Sequence, residues 1–160
     1  MHSIEGLLDI HARVHENVKD LIAHCAGLSA EEAERRLEGF GEATIRLQIH
    51  HAIGAEGYWM DVLQGRPDAT DTSPDFPDVA SLEAFRDVTC EATRSFLASL
   101  DEAALNSPRT VKLWNGEAVD LSPAQVFLRT QTHYYHHQGQ VLAMCRALGR
   151  PGSGFNYPIR

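Results

Sequence analysis

The sequence predicts an all-α protein, a four-helix bundle with a long crossover between its second and third helices and a small β-hairpin before the last helix. Apolar residues recur at three- and four-residue intervals in four long segments, and each segment is bounded by residues that start or stop helices. Only one short stretch carries a hairpin signal. With 160 residues, of which 43% are hydrophobic, the chain predicts one domain over residues 1–160.

The first predicted helix covers residues 3–25 and closes near Gly27. Its apolar positions have helical spacing: Ile4, Leu7, Leu8, Val14, Val18, Leu21 and Ile22. Ser29 with Glu32 three residues later is typical of a capping box, which predicts a short helix through Leu37.

The second long helix is predicted from about residue 42 to residue 63. Gly65 and Pro67 end it, because glycine accepts a left-handed cap and proline cannot continue a helix. Residues 67–79 are rich in Asp, Thr, Ser and Pro, which is typical of a surface connection. A connection of this length permits the second and third helices to run parallel.

The third helix is predicted over residues 82–100, with Ser81 as its cap. One narrow apolar stripe defines it: Leu82, Phe85, Val88, Thr89, Ala92, Phe96 and Leu97. The last helix is predicted to begin at Ser122 and Pro123 and to run to Leu148, before Gly149.

Between these two helices, Asn115-Gly116 lies among alternating residues, which predicts a two-stranded ribbon within residues 110–120. Trp114, beside the turn, either closes over a pocket or holds the ribbon on the bundle. The aromatic tail around Phe155 and Tyr157 either packs on the bundle or contributes to a homodimer.

The charge and the cysteines narrow the class of protein. A net charge of −8 without a Lys or Arg cluster argues against nucleic-acid binding. We expect a cytoplasmic protein without membrane contact, since the N-terminus lacks a signal pattern and no apolar run is long enough to span a bilayer. Cys25, Cys90 and Cys145 are far apart, which favours separate buried thiols over a disulfide framework.

The most informative stretch is in the last helix, where His133 and His137 are four residues apart. Residues at this spacing lie on one helix face, so the two imidazoles can reach a single metal ion. The same stripe is mostly apolar and predicts that both face the core: Val126, Thr130, Val141, Met144 and Leu148. His136 shares its stripe with polar residues, and we expect it at the surface.

A second pair of histidines, His50 and His51, lies in the second long helix. The stripe through His51 is apolar, whereas the stripe through His50 carries Arg46 and glycines, so the pattern predicts that His51 faces inward. His51, His133 and His137 would together leave coordination positions open, as catalytic zinc sites do.

His11 and His15 are a rival pair, also four residues apart. They lack a third inward-facing histidine, and we interpret them as partly buried side chains at the edge of the first helix's stripe. Glu56 lies about 140° around its helix from His51, which makes direct contact with the same metal unfavourable.

These residues resemble the DinB/YfiT-like family of metal-binding four-helix bundles. The resemblance rests on His51 followed by Glu56 and Trp59, and on His133 and His137 followed by Gly139 and Gln140. It extends to Trp114-Asn115-Gly116, Ala147-Leu148-Gly149 and Asn156-Tyr157-Pro158. The resemblance implies a divalent metal held by His51, His133 and His137, although each histidine doublet offers an alternative member.

The resemblance also implies transfer of low-molecular-weight thiols, which predicts a metal-dependent thiol S-transferase acting on a small-molecule substrate. A metal-dependent hydrolase and a non-catalytic metal- or ligand-binding protein are the alternatives. Three imidazoles suit zinc, nickel, iron or copper, and we expect zinc or nickel, with a small thiol as a possible second cofactor. Gln140 and Tyr58 are the candidate cofactor-binding residues, because each shares a face with a predicted ligand; Gln140 is equally well explained as a core amide.

Overall fold

A computed structural model describes residues 1–158, and four long helices form the predicted bundle: α1 (Ile4–Ala26), α3 (Ile45–Leu63), α4 (Leu82–Ala98) and α6 (Pro123–Ala147). The shorter elements are α2 (Ala30–Ala33), a 3-10 turn (Ser73–Asp75), α5 (Glu102–Asn106), β1 (Arg109–Lys112) and β2 (Ala118–Leu121). In the described part of the chain, no helix combines the length and the apolar character needed to cross a bilayer.

Side-chain caps fix where the helices begin. The hydroxyls of Ser3, Thr44 and Ser122 each accept a hydrogen bond from a backbone N–H in the following turn. Thr44 is the cap of α3, so this helix begins three residues later than predicted. The predicted capping box at Ser29 is present, but α2 ends at Ala33 rather than at Leu37.

Two pairs of helices run parallel. Leu7 packs in one apolar cluster with Phe127, and the Cys25 Sγ lies 3.8 Å from the Cys145 Sγ, so α1 and α6 point the same way. His50 stacks on Phe85 near the start of α4. Further along both helices, Gly57 lies against Thr89. Helices α3 and α4 are therefore parallel, as the long connection between them permits.

The core consists of apolar residues from all four long helices, with Phe127 and Leu97 fully buried. Val88 was expected in the apolar stripe of α4, but it is 71% exposed. That prediction was wrong because the buried face of α4 runs through Leu82, Thr89, Thr93 and Leu97, which leaves Val88 on the solvent side. Helix α5 was not predicted: Asp101 caps it, and Leu105 anchors it in the core.

The β-hairpin is present, with Lys112 opposite Ala118 at its closed end. Beyond this pair, Leu113 lies opposite Glu117, so the loop between them has three residues rather than the two of an Asn-Gly turn. The Leu113 N–H donates to the Glu117 carbonyl, and Gly116 adopts a positive φ of 82°. This is the three-residue loop in which a type I turn is followed by a left-handed glycine.

Trp114 fulfils neither of its predicted roles, because its side chain is 69% exposed. Its backbone N–H, rather than its indole, touches the bundle by donating to the Tyr58 hydroxyl at 3.3 Å. The C-terminal tail packs on the bundle: Phe155 lies against the main core, and the Asn156 carbonyl accepts a hydrogen bond from Asn17.

Candidate metal centre

Helices α3 and α6 bring three histidines together at one end of their shared seam. His51 comes from α3, and His133 and His137 come from successive turns of α6. One ligand nitrogen from each ring can be chosen so that all three lie within 4.8 Å of one another. The ring centroids are 4.3 to 5.2 Å apart. The structure thus brings His51 together with His133 and His137, which follow it by more than 80 residues in the sequence.

The two histidines of α6 already have the spacing of metal ligands. Their Nε2 atoms are 3.0 Å apart. Two imidazole nitrogens bound at 2.0–2.1 Å to one metal are roughly 2.9–3.3 Å apart for bond angles of 90–109°. A metal between these nitrogens would therefore need little movement of either side chain.

Gln48 holds His137 in the tautomer that a metal requires. The His137 Nδ1–H donates to the Gln48 Oε1 at 2.5 Å, which leaves the lone pair on Nε2 directed at the cluster. Gln48 is fully buried, and its amide N–H groups donate to the Gln140 Oε1 at 2.6 Å and to the Glu42 carbonyl at 2.9 Å. Sequence reasoning missed this residue, although its place one turn before His51 was an available signal.

Both histidines of α6 are held neutral in the metal-free protein. Burial, followed by the neighbouring His51, lowers the pKa of His133 to about 4. Burial, followed by His133 and His51, lowers the pKa of His137 to about 3. Their nitrogen lone pairs are free at neutral pH, as coordination requires.

The prediction that His51 faces inward was wrong, because its side chain is 45% exposed. His50 is the buried member of the doublet, 9% exposed, with its Nε2 3.1 Å from the Thr72 Oγ1. Gly54, one turn after His50, faces the Phe85 ring of α4: an added Cβ there would lie 3.9 Å from that ring, an ordinary contact distance. The stripe that looked polar in the sequence is buried because α4 covers it.

The choice of His51 over His50 nevertheless agrees with the geometry, since His50 stacks on Phe85 while His51 joins the cluster. His136 is exposed, as predicted, and its Nε2 accepts a hydrogen bond from the Gln140 Nε2 at 2.7 Å. The ring of His136 lies 5.0 Å from that of His137, at the rim of the cluster.

The two candidate cofactor-binding residues have other contacts. Gln140 bridges Gln48 and His136, so it supports the amide network behind His137. Tyr58 packs edge-on against Trp59, and its hydroxyl accepts from the hairpin. Their role in binding a cofactor stays a prediction.

His11 and His15 are not at the edge of a stripe, contrary to our interpretation. Both are buried, and both hydrogen-bond to the fully buried carboxylate of Glu56. Glu56 is turned away from the His51 cluster, as its helical angle predicted. The apolar periodicity of α1 indicates its inner face but not the carboxylate that another helix places there.

Comparison with known families agrees with this geometry. A family model described as the DinB superfamily matches residues 13–141, a range that includes all three histidines of the cluster. No curated protein matches the sequence.

We predict that replacing His51, His133 or His137 singly by Ala removes most of the metal bound between α3 and α6, while replacing His50 or His136 does not. Gln48→Leu should weaken metal binding about 10- to 100-fold, because it removes the partner that orients His137. Metal content by elemental analysis and affinity by competition with a chelator measure both effects. Loss of metal on replacing His50, with retention on replacing His51, would show that the other member of the doublet binds.

The depressed pKa values predict acid sensitivity of the metal-free protein. Well above pH 6.5 these two imidazoles are neutral in both folded and unfolded chains, so they contribute no pH dependence. As the pH falls from about 6.5 toward 4, His133 and His137 become protonated in the unfolded chain but stay neutral in the folded one. The free energy of unfolding therefore decreases. Urea denaturation across this range should show a smaller decrease for a His133→Gln/His137→Gln variant. An equal decrease in both proteins would contradict the prediction.

Proposed function

The chain belongs to the DinB superfamily, and on that premise we propose that it binds a divalent transition metal, zinc or nickel, and acts as a metal-dependent thiol S-transferase on a small molecule. The observation that carries the proposal is the group of three histidine nitrogens within 4.8 Å, contributed by His51, His133 and His137. Three protein ligands leave open positions, which distinguishes a catalytic site from a closed structural one.

A divalent cation held by neutral imidazoles would keep most of its charge, and it would lower the pKa of a bound thiol or water. The protein's own contribution is the fixed geometry of the ligands. Gln48 orients His137, and the low pKa values of His133 and His137 keep both available as ligands. The exposed side of His51 leaves the cluster accessible from solvent.

Glu42 places a carboxylate beside this open side. Its Oε1 lies 3.8 Å from the His51 Nδ1, and its side chain is 39% exposed. This distance is too long for a hydrogen bond, and the nearness of the carboxylate to the cluster supports a role for Glu42 in accepting a proton from a bound nucleophile. A carboxylate base is also what a hydrolase needs, so Glu42 is the observation that supports the hydrolase as the second candidate.

Two wide grooves lie elsewhere. One of 480 Å³ lies between α3 and α4, and one of 450 Å³ lies beneath the C-terminal tail; neither is lined by His51, His133 or His137. A substrate would therefore bind at an open surface rather than in a deep pocket of one chain. The same observation supports the third candidate, a metal-binding protein without turnover.

Cobalt substitution tests the S-transferase proposal. A small thiol added to the cobalt protein should lose its proton and bind as thiolate, producing an intense sulfur-to-cobalt band in the near ultraviolet and releasing one proton per site. The variant with His51, His133 and His137 replaced by Ala is the control and should show no added band. If several chemically distinct thiols leave the spectrum unchanged while a carboxylate or phosphate analogue alters it, the hydrolase is the better assignment.

A further inference from the structure

A second group of metal-ligating side chains lies inside the bundle. His11 and His15 of α1 and Cys90 of α4 bring their ligand atoms within 4.8 Å of one another. The carboxylate of Glu56 on α3 adjoins this group, since it contacts both histidines. His11, His15 and Glu56 are at most 2% exposed, and Cys90 is partly buried.

The two imidazoles converge on the carboxylate. The His11 Nε2 lies 2.9 Å from the Glu56 Oε1, and the His15 Nε2 lies 3.1 Å from Oε2. These separations are close to those between donors that share one small cation at bond lengths of about 2.0–2.2 Å. The four side chains come from three helices: His11, His15 and Cys90 lie within reach of one another, and Glu56 adjoins them through the two histidines.

The charge inside this group favours a cation. Burial acts to raise the pKa of Glu56, but the hydrogen bonds from His11 and His15 outweigh it and hold this pKa below its usual value. Burial lowers the pKa of His15, so that ring does not readily supply a balancing charge. The guanidinium of Arg86, whose charge acts on His15 and Cys90, donates to the His15 carbonyl and is paired with Asp87. A fully buried carboxylate is costly without a cation of its own.

Around the group, the His15 Nδ1 has no hydrogen-bond partner within the described residues, and the Tyr134 hydroxyl interacts with the Glu56 carboxylate. Tyr134 is 4% exposed, and burial followed by the charge of Glu56 raises its pKa, so the hydroxyl stays protonated. Buried polar groups are nearly always paired. A hydroxyl directed at this carboxylate is suited to support it as a metal ligand.

We propose that His11, His15, Glu56 and Cys90 form a second, closed site for one divalent transition ion of the zinc type. Two nitrogens, one carboxylate oxygen and one sulfur complete a tetrahedral set. On binding, the Cys90 S–H bond gives its proton to solvent and a sulfur–metal bond forms. Each imidazole keeps one proton, on Nδ1, and offers Nε2. The thiolate and the carboxylate together balance the two positive charges.

Such a site ties α1, α3 and α4 together and leaves no position for substrate, so it is structural. It is independent of the proposed S-transferase activity, which concerns the open cluster between α3 and α6.

The variant with His51, His133 and His137 replaced by Ala isolates the inner site. Because that site is buried, the protein is refolded in the presence of cobalt. One equivalent of cobalt should remain, with a sulfur-to-cobalt band present before any thiol is added. Cys90→Ser in this background should abolish the band and weaken cobalt binding at least tenfold. Cys145→Ser is the matched control, since Cys145 is a buried thiol whose sulfur contacts Cys25, and it should keep the band.

Far-ultraviolet circular dichroism establishes that each variant is folded. If Cys90→Ser does not fold, Glu56→Gln serves in its place and should lower cobalt affinity while keeping the sulfur band. Absence of bound cobalt from the folded triple variant, or a band that survives Cys90→Ser, would overturn the proposal. If the wild-type protein binds two equivalents of cobalt but its spectrum does not change when thiols are added, the result would contradict the S-transferase activity and leave the inner site standing.

Discussion

The hydrogen bond from the His137 Nδ1 to the Gln48 Oε1 is the contact on which the candidate metal centre depends. It joins α6 to α3 across the seam, fixes the tautomer of His137, and directs the other ring nitrogen toward His133. Gln48 can hold this position because its own amide is anchored on Gln140 and on the Glu42 carbonyl. A buried amide with partners on both sides is rigid, and that rigidity is what a preformed metal site requires.

The bundle places two kinds of polar chemistry on opposite sides of α3. On the α6 side, exposed His51 meets two histidines at a solvent-accessible opening. On the α1 side, Glu56 is fully buried between His11 and His15. The parallel arrangement of α3 and α4 adds Cys90 to the inner group. An open group suits exchange of ligands with solvent, whereas an enclosed group suits a permanent structural role.

Helical periodicity predicted the four long helices, and Asn115-Gly116 predicted the hairpin. The spacing of His133 and His137, with the family resemblance at His51, singled out the three histidines that the structure brings together. Periodicity failed where the outcome depends on which neighbouring helix covers a face. His50 is buried because α4 covers its face of α3, and His51 is exposed because the seam opens to solvent there. The contacts of Gln48 with His137 and of Glu56 with His11 and His15 join distant parts of the chain, and no local pattern encodes them.

The most direct test of the central claim is a crystal structure of the metal-loaded protein, with anomalous diffraction recorded at the absorption edge of the metal. The account predicts an anomalous peak between α3 and α6, within about 2.0–2.2 Å of one nitrogen each of His51, His133 and His137, with Gln48 still bonded to His137. A peak bound by His50 or His136 in place of these ligands, or no peak between the two helices, would contradict it.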